Sequence, residues 1–313
     1  MFVMFRGALA QVYDQLHTPS NRQRLERLAV GTAAVGFVGH LIAIAVLWAL
    51  PDLPETVLIG LDRSLLHAIY TPFSVILFYE VVLLVFSLAN SHTEEISKQY
   101  QIISLIVVRR VFKDIGSFGD IENWLAETDA VLAVLRDMGG AAAMFFLVTV
   151  FAALRKAAPR LPIERDLNSF IELKKAVAVL LLPVLIIFAA MNVLSWLRLL
   201  PDGFPGVPDH GGNVDLFFFP LFYEFMIFTD VFLLIVSLAY YDKYEYVFRN
   251  AGFVISTVLL RVSLSTPKPY DLALALMAMA YGVLILAIFT FFARTLHQKK
   301  TTAAPENVAP EER

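Results

Sequence analysis

The chain of 313 residues contains no cysteine and comparatively few charged side chains. Without cysteine there are no disulfides, no thiolate metal ligands, no iron–sulfur clusters and no cysteine nucleophile. Charged residues make up 17% of the chain, whereas soluble domains carry about 25%. The formal net charge of -3 leaves no strongly basic surface for nucleic acid. These absences argue against a soluble enzyme and against a nucleic-acid partner.

Apolar residues are abundant instead, at 58% of the chain. A helix needs roughly 20 mostly apolar residues to cross a hydrocarbon layer of about 30 Å. Long apolar segments lie near residues 28–50, 68–90, 128–154, 176–200, 216–240 and 270–295. Two further segments, near 97–115 and 247–264, carry Arg109-Arg110 and Arg261 and fit either a span or an amphipathic surface helix. The sequence therefore predicts an all-α, polytopic integral membrane protein.

The distribution of lysine and arginine favours eight spans over six. The segment from Arg155 to Lys175 contains six cations, and only the eight-span arrangement puts it on the same side as a cytoplasmic N-terminus. In that arrangement 17 of the 25 lysines and arginines lie inside and four lie outside, in agreement with the positive-inside rule. We therefore expect eight transmembrane helices in a cell membrane, of the bacterial inner-membrane type, with both termini cytoplasmic.

Short identities recur at a nearly constant offset in the two halves of the chain. Leu50-Pro51-Asp52 returns as Leu200-Pro201-Asp202, and Ser87-Leu88-Ala89 returns as Ser237-Leu238-Ala239. Four spans per half give both halves the same orientation, which predicts two parallel four-helix repeats. The expected segments are a cytoplasmic N-terminal segment (1–27), a first repeat (28–155), a basic cytoplasmic linker (156–175), a second repeat (176–297) and a disordered tail (298–313).

Several ionisable residues lie within the predicted spans of the first repeat. An ionised side chain at mid-bilayer costs roughly 2.5–3.5 kcal/mol, so each one needs a partner or a water-filled cavity. Glu80 is expected to pair with Arg109 or Arg110, because a guanidinium matches a carboxylate. Arg136 and Asp137 are adjacent on one helix near mid-depth and point about 100° apart, so they cannot pair face to face. Each is expected to find a partner on another helix. The predicted intramembrane cluster comprises Glu80, Arg109, Arg110, Arg136, Asp137 and His40, and its five charges leave one positive in excess.

The second half retains less of this chemistry. Asp230 aligns with Glu80 and Arg261 aligns with Arg110, with Glu224 as an additional acid, whereas Ala278 and Met279 replace the Arg136-Asp137 pair. This difference suggests a functional site in the first repeat and a structural pair in the second. No cofactor or metal is expected, because His40 lacks a second histidine at matched depth for haem and no metal-ligand spacing is diagnostic.

Phe78-Tyr79-Glu80 in an apolar helix, followed by a helix ending in Arg109-Arg110, resembles the phosphate-starvation-inducible E family. The resemblance covers about 50 residues in each half and implies a four-helix unit in a bacterial inner membrane. The four-helix unit, with an acid on its second helix, also resembles a voltage-sensor bundle. A sensing helix carries arginine at every third position, however, and the fourth span has only Arg136.

Two classes of function remain open from the sequence, neither of them enzymatic. The first is a channel or transporter that handles an ion or small anion with the first-repeat charges. The second is a non-catalytic assembly or accessory protein, or a sensor, whose buried acid–arginine pairs lock helix packing. The lipid bilayer is the expected partner in both, and homo-oligomers or larger membrane complexes stay open.

Overall fold

The computed structural model describes residues 2–49, 65–116, 128–158, 168–199, 215–240 and 243–302. Within these ranges the fold is all-α and contains no strand. The helices are α1 (Phe2–Leu16), α2 (Pro19–Ala49), α3 (Tyr70–Ser87), α4 (His92–Gly116), α5 (Thr128–Ala157), α6 (Asn168–Leu199), α7 (Asp215–Ser237), α8 (Tyr244–Ser265) and α9 (Tyr270–Thr302). A short 3-10 helix, Leu65–Ile69, precedes α3.

Five of the described helices are long and apolar enough to cross a membrane, namely Pro19–Ala49, Val131–Ala157, Asn168–Met191, Tyr244–Ser265 and Tyr270–Thr295. Thr71–Ser87 is apolar but shorter. The 247–264 segment, which fitted either a span or a surface helix, belongs to one of the five. The chain is thus a multi-pass helical protein of membrane type.

Two helices extend into segments that were expected to lie outside the repeats. Within residues 2–27, expected as the N-terminal segment, α1 fills most of the length and α2 begins at Pro19. The Thr18 hydroxyl accepts a hydrogen bond from the Asn21 amide at 3.4 Å, and proline suits the first helical position, so Thr18-Pro19 starts α2. At the other end α9 continues to Thr302, five residues into the segment expected to be disordered, and residues 303–313 lie outside the described ranges.

Consecutive helices pack against each other in both halves, from α2 to α5 and from α6 to α9. The two halves meet where α5 packs on α9 and where α4 touches α8. Glycine permits this approach, because a Cβ on Gly140 of α5 would lie 2.3 Å from Leu272 of α9. One continuous apolar core runs through both halves, and the charged side chains described next are set into it.

Candidate functional site

Glu80 of α3 forms an ion pair with Arg109 of α4, as the sequence predicted for one of the two arginines. The Glu80 side chain is buried, whereas that of Arg109 is 23% exposed. Only one carboxylate oxygen of Glu80 contacts the guanidinium, and Oε1 has no hydrogen-bond partner among the described residues. The pair therefore combines a buried acid with a partly exposed arginine.

Asp230 of α7 forms the corresponding ion pair with Arg261 of α8. Here both side chains are buried, and Arg261 also donates to the Met226 carbonyl oxygen at 3.0 Å. The Thr257 hydroxyl donates to Asp230 Oδ2 at 3.1 Å. This pair has more internal partners than Glu80–Arg109.

The two pairs occupy the same positions on their helices. Glu80 lies seven residues before Ser87, where α3 ends, and Asp230 lies seven residues before Ser237, where α7 ends. Arg109 follows the first residue of α4, His92, by 17 residues, and Arg261 follows the first residue of α8, Tyr244, by the same number. By helix position the counterpart of Arg261 is Arg109, rather than Arg110 as the sequence alignment suggested.

Arg110 pairs with a residue that the sequence analysis did not include, Asp271 in the first turn of α9. Asp271 is buried, and the Arg110 side chain is 20% exposed. Its negative charge cancels the positive excess expected for the first-half cluster. Asp271 was missed because it opens an apolar helix, where an acid is commonly interpreted as a helix-dipole partner.

Arg136 and Asp137 do not join Glu80 and Arg109 in the contacts that the structure describes. The expectation that these neighbours cannot pair face to face was wrong, because Arg136 folds back and its Nε and Nη2 each donate to Asp137 Oδ1 at 3.2 Å. Asp137 also has a partner outside α5, since its Oδ2 lies 3.4 Å from Nζ of Lys268. Lys268 precedes α9, so Asp137 lies level with the turn between α8 and α9 and not at mid-depth. The flexible, forked arginine side chain explains the local pairing.

The two other predicted residues have different surroundings. His40 of α2 lies 2.6 Å from the Thr71 hydroxyl of α3, measured from Nδ1. Glu224 of α7 is exposed and does not accompany the buried Asp230–Arg261 pair.

A buried polar chain connects the two halves, and the sequence analysis missed most of it. Lys174 of α6 binds Glu95 of α4, with 2.6 Å between Nζ and Oε2, and donates to the Asn90 carbonyl oxygen at 2.7 Å. Gln99, one turn beyond Glu95, donates to Glu95 Oε1 at 3.3 Å and accepts from Arg261 Nη2 at 3.3 Å. The chain therefore runs from Lys174 through Glu95, Gln99 and Arg261 to Asp230.

The position of Lys174 corrects the expected linker of residues 156–175. That segment was expected to be a basic connection beside the membrane, but Lys174 lies inside α6 and is only 1% exposed. A lysine pair, Lys174-Lys175, at the start of a long apolar stretch, together with Glu95 and Gln99 one turn apart on α4, was the available signal. Residues 159–167 of the linker lie outside the described ranges.

A second polar contact joins α4 to α8 and α9 beside this chain. The Tyr100 hydroxyl is hydrogen-bonded to Ser256, whose hydroxyl donates to the Ala278 carbonyl oxygen at 2.7 Å. A Cβ at Gly282 of α9 would lie 1.8 Å from the Tyr100 hydroxyl. Glycine at this position is therefore required for Tyr100 to reach across the junction.

Among the described residues no group of three or more histidine, cysteine, aspartate or glutamate side chains is placed to hold a metal ion. No protein-family model, curated protein or solved structure matches the chain.

Proposed function

We propose that the protein is a channel or transporter for a small anion, and that protons accompany the anion through the Glu80–Arg109 centre. The proposal includes eight spans arranged as two parallel four-helix repeats, with both termini cytoplasmic. The matched helix positions of Glu80–Arg109 and Asp230–Arg261 support the repeat. Intramembrane ionisable groups commonly mark ion pathways, which supports a transport role.

One observation carries the proposal: the two arginines of α4 are partly exposed, whereas the acids that they pair with are buried. The side chains of Arg109 and Arg110 are 23% and 20% exposed, and those of Glu80 and Asp271 are buried. Partly exposed guanidinium groups can receive an anion from outside the protein core. A purely structural pair has no need for such an opening, and Arg261, which is fully buried, lacks it.

Charge balance then links the anion to a proton. Glu80, Arg109, Arg110 and Asp271 together are neutral, so one bound anion would leave an uncompensated negative charge in a poorly solvated place. One proton on Glu80 restores neutrality and releases Arg109 to bind the anion. Glu80 Oε1 can accept this proton, since it has no hydrogen-bond partner among the described residues.

Arg109 of α4, which forms the ion pair with Glu80, sets the conditions of this exchange. Arg110, the next residue of α4, is paired with Asp271 of α9. The nearest positive charge, on Arg109, must lose its carboxylate partner before it can hold an anion. Anion flux should therefore rise as the pH falls.

Flux through reconstituted vesicles tests the proposal. The purified chain in liposomes is assayed for chloride, nitrate and monovalent phosphate movement, with an internal pH dye, for the native chain and for Glu80→Gln. We expect Glu80→Gln to lower proton-linked flux about tenfold or more while the chain stays folded, since the amide keeps the shape of the acid and the Arg109 side chain is 23% exposed and can reach water. Asp14→Asn, at an exposed carboxylate that meets Lys175, is the matched control and should leave flux unchanged. Equal flux in native and Glu80→Gln vesicles would refute the proposal.

A second candidate function is a non-catalytic assembly protein whose charge pairs lock the helices together. The buried chain from Lys174 to Asp230 favours it, because all five side chains are buried and bound to each other. Absence of flux for every anion tested, together with co-purification of a defined membrane complex that Glu80→Gln disrupts, would favour this function.

A further inference from the structure

Helix α1 is held firmly against the protein at one end of the bundle. The Tyr13 hydroxyl donates to the Phe86 carbonyl oxygen at 2.8 Å, and Asp14 binds Lys175 with 2.6 Å between Oδ1 and Nζ. Near the start of the helix, Arg6 binds Glu172 with 3.1 Å between Nη2 and Oε2. These contacts attach α1 to the N-terminal part of α6 and to the end of α3. The outward surface of α1 therefore has a fixed orientation relative to α3 and α6.

The outward surface of α1 divides into an apolar side and a polar side. Phe5, Ala8, Val12 and Leu16 are exposed and recur every three or four residues, so they form one stripe. Gln11 and Asp14 are also exposed, and at about 100° per residue they lie roughly 100° and 160° from Val12, on a different side of the helix. Met4, which is 82% exposed, and Gln15 lie at the edge of the stripe. A third side contains Tyr13 and Ala10 and packs on the protein. The helix therefore has one side for protein contacts, one for apolar surroundings and one for water.

The position of α1 indicates what lies against the apolar side. α1 packs beside the start of the candidate span Asn168–Met191 and beside the end of the apolar helix Thr71–Ser87. This is the level at which the hydrocarbon layer gives way to headgroups. An amphipathic helix at this level lies in the membrane plane with its apolar side against the acyl chains.

The start of α2, which follows α1 in the chain, also exposes apolar and cationic side chains. Leu25 and Leu28 are exposed there, on a candidate span. Arg22, Arg24 and Arg27 are exposed on the same stretch, with Glu26 as an acid among them, and their charge complements lipid phosphate. Apolar and cationic groups together at one level fit the boundary region of a bilayer.

We propose that α1 is an interfacial membrane helix, and that Phe5, Ala8, Val12 and Leu16 lie at the boundary between acyl chains and headgroups of the adjacent leaflet. The arginines at the start of α2 bind the phosphate groups of that leaflet. The proposal does not depend on any transport activity.

Spin labelling tests this directly, because the chain has no native cysteine to remove. Single variants Phe5→Cys and Val12→Cys are labelled, with Gln11→Cys as the matched control on the same helix. Each is reconstituted into vesicles of phosphatidylcholine alone or with phosphatidylglycerol. Collision rates with oxygen, which enters lipid, and with a water-soluble nickel chelate are then measured.

We expect labels at positions 5 and 12 to favour oxygen over the chelate by about threefold or more, and the label at position 11 to show the reverse. Access of the chelate to all three positions would overturn the proposal, because the stripe would then lie in water. Shielding of positions 5 and 12 from both reagents would also overturn it, since protein would then cover the stripe. For the arginines, adding phosphatidylglycerol should increase oxygen access at position 12 in the native background, and Arg22→Gln with Arg24→Gln should remove that increase. No response to phosphatidylglycerol would refute phosphate binding by these arginines.

Discussion

Two lysines adjacent in sequence have opposite surroundings in the structure. Lys174 is buried between Glu95 and the Asn90 carbonyl oxygen, whereas Lys175 meets the exposed Asp14. The loss of a buried ion pair and the loss of an exposed one change the free energy of unfolding by different amounts. Removing one member of a buried pair leaves an uncompensated charge, while an exposed pair contributes little.

Lys174→Met should therefore lower the free energy of unfolding in detergent by about 3–5 kcal/mol, since Glu95 then keeps a buried charge without its cation. Lys175→Met should change it by at most about 1 kcal/mol. The double variant Lys174→Met with Glu95→Gln should recover much of the loss. Equal effects of the two single lysine variants would contradict the structural position of Lys174.

Gly282 provides a second test at the scale of single residues. Gly282→Ala would place a methyl group against the Tyr100 hydroxyl and, at 2.8 Å, against the Ser256 hydroxyl, so we expect a loss of stability of about 1–3 kcal/mol. Combining it with Tyr100→Phe should cost less than the sum of the two single changes, because the clashing oxygen is gone. Gly139→Ala serves as the control, since nothing lies within 4 Å of a Cβ there. Strict additivity in thermal unfolding would count against the close approach.

At the scale of helices, the sequence was informative about apolar segments and poor on partners. The segments near 28–50, 97–115 and 247–264 all belong to helices, because apolar length is a local property. The Glu80–Arg109 pair was foreseen as one of two alternatives, because helices consecutive in the chain usually pack together. Asp271, Glu95, Gln99 and Lys174 were not foreseen as partners, because their roles depend on which helices touch. Helix α1 was missed because its short amphipathic pattern is weaker than that of a span.

The joint between α1 and α2 should respond to pH. His17 is placed there, 5.3 Å from the Tyr13 ring and 5.2 Å from the Phe86 ring between centroids. Burial, followed by the charges of Arg22 and Lys98, lowers the pKa of His17 below its ordinary value of 6.5. The unfolded joint then binds a proton more readily than the folded one, so its stability is present above pH 6.5 and decreases as the pH falls below that value. The protection factors of α1 amides, which are exchange rates corrected for their intrinsic pH dependence, should fall between about pH 7 and pH 5, and His17→Gln should flatten this dependence. An unchanged profile in His17→Gln would assign the effect to another group.

At the scale of the whole molecule, the eight-span arrangement requires α8 to cross the lipid. Lys243 precedes this helix and Ser265 is its last residue, so the two ends should face opposite aqueous compartments. We expect a membrane-impermeant maleimide to label Lys243→Cys only from the inside and Ser265→Cys only from the outside, in sealed vesicles of known orientation. Labelling of both from one side would show that α8 lies on the surface, and Arg261 would then not be at membrane depth.

The pairing of Arg110 with Asp271 has a consequence for the synthesis of the chain. Arg110 belongs to α4, but its carboxylate arrives only with α9, after all the other helices have been made. Until then the guanidinium must be held by water, lipid phosphate or the insertion machinery. A chain that terminates before Tyr270 never acquires this counter-ion, so truncated products should be the preferred substrates of membrane proteases that recognise unsatisfied charge.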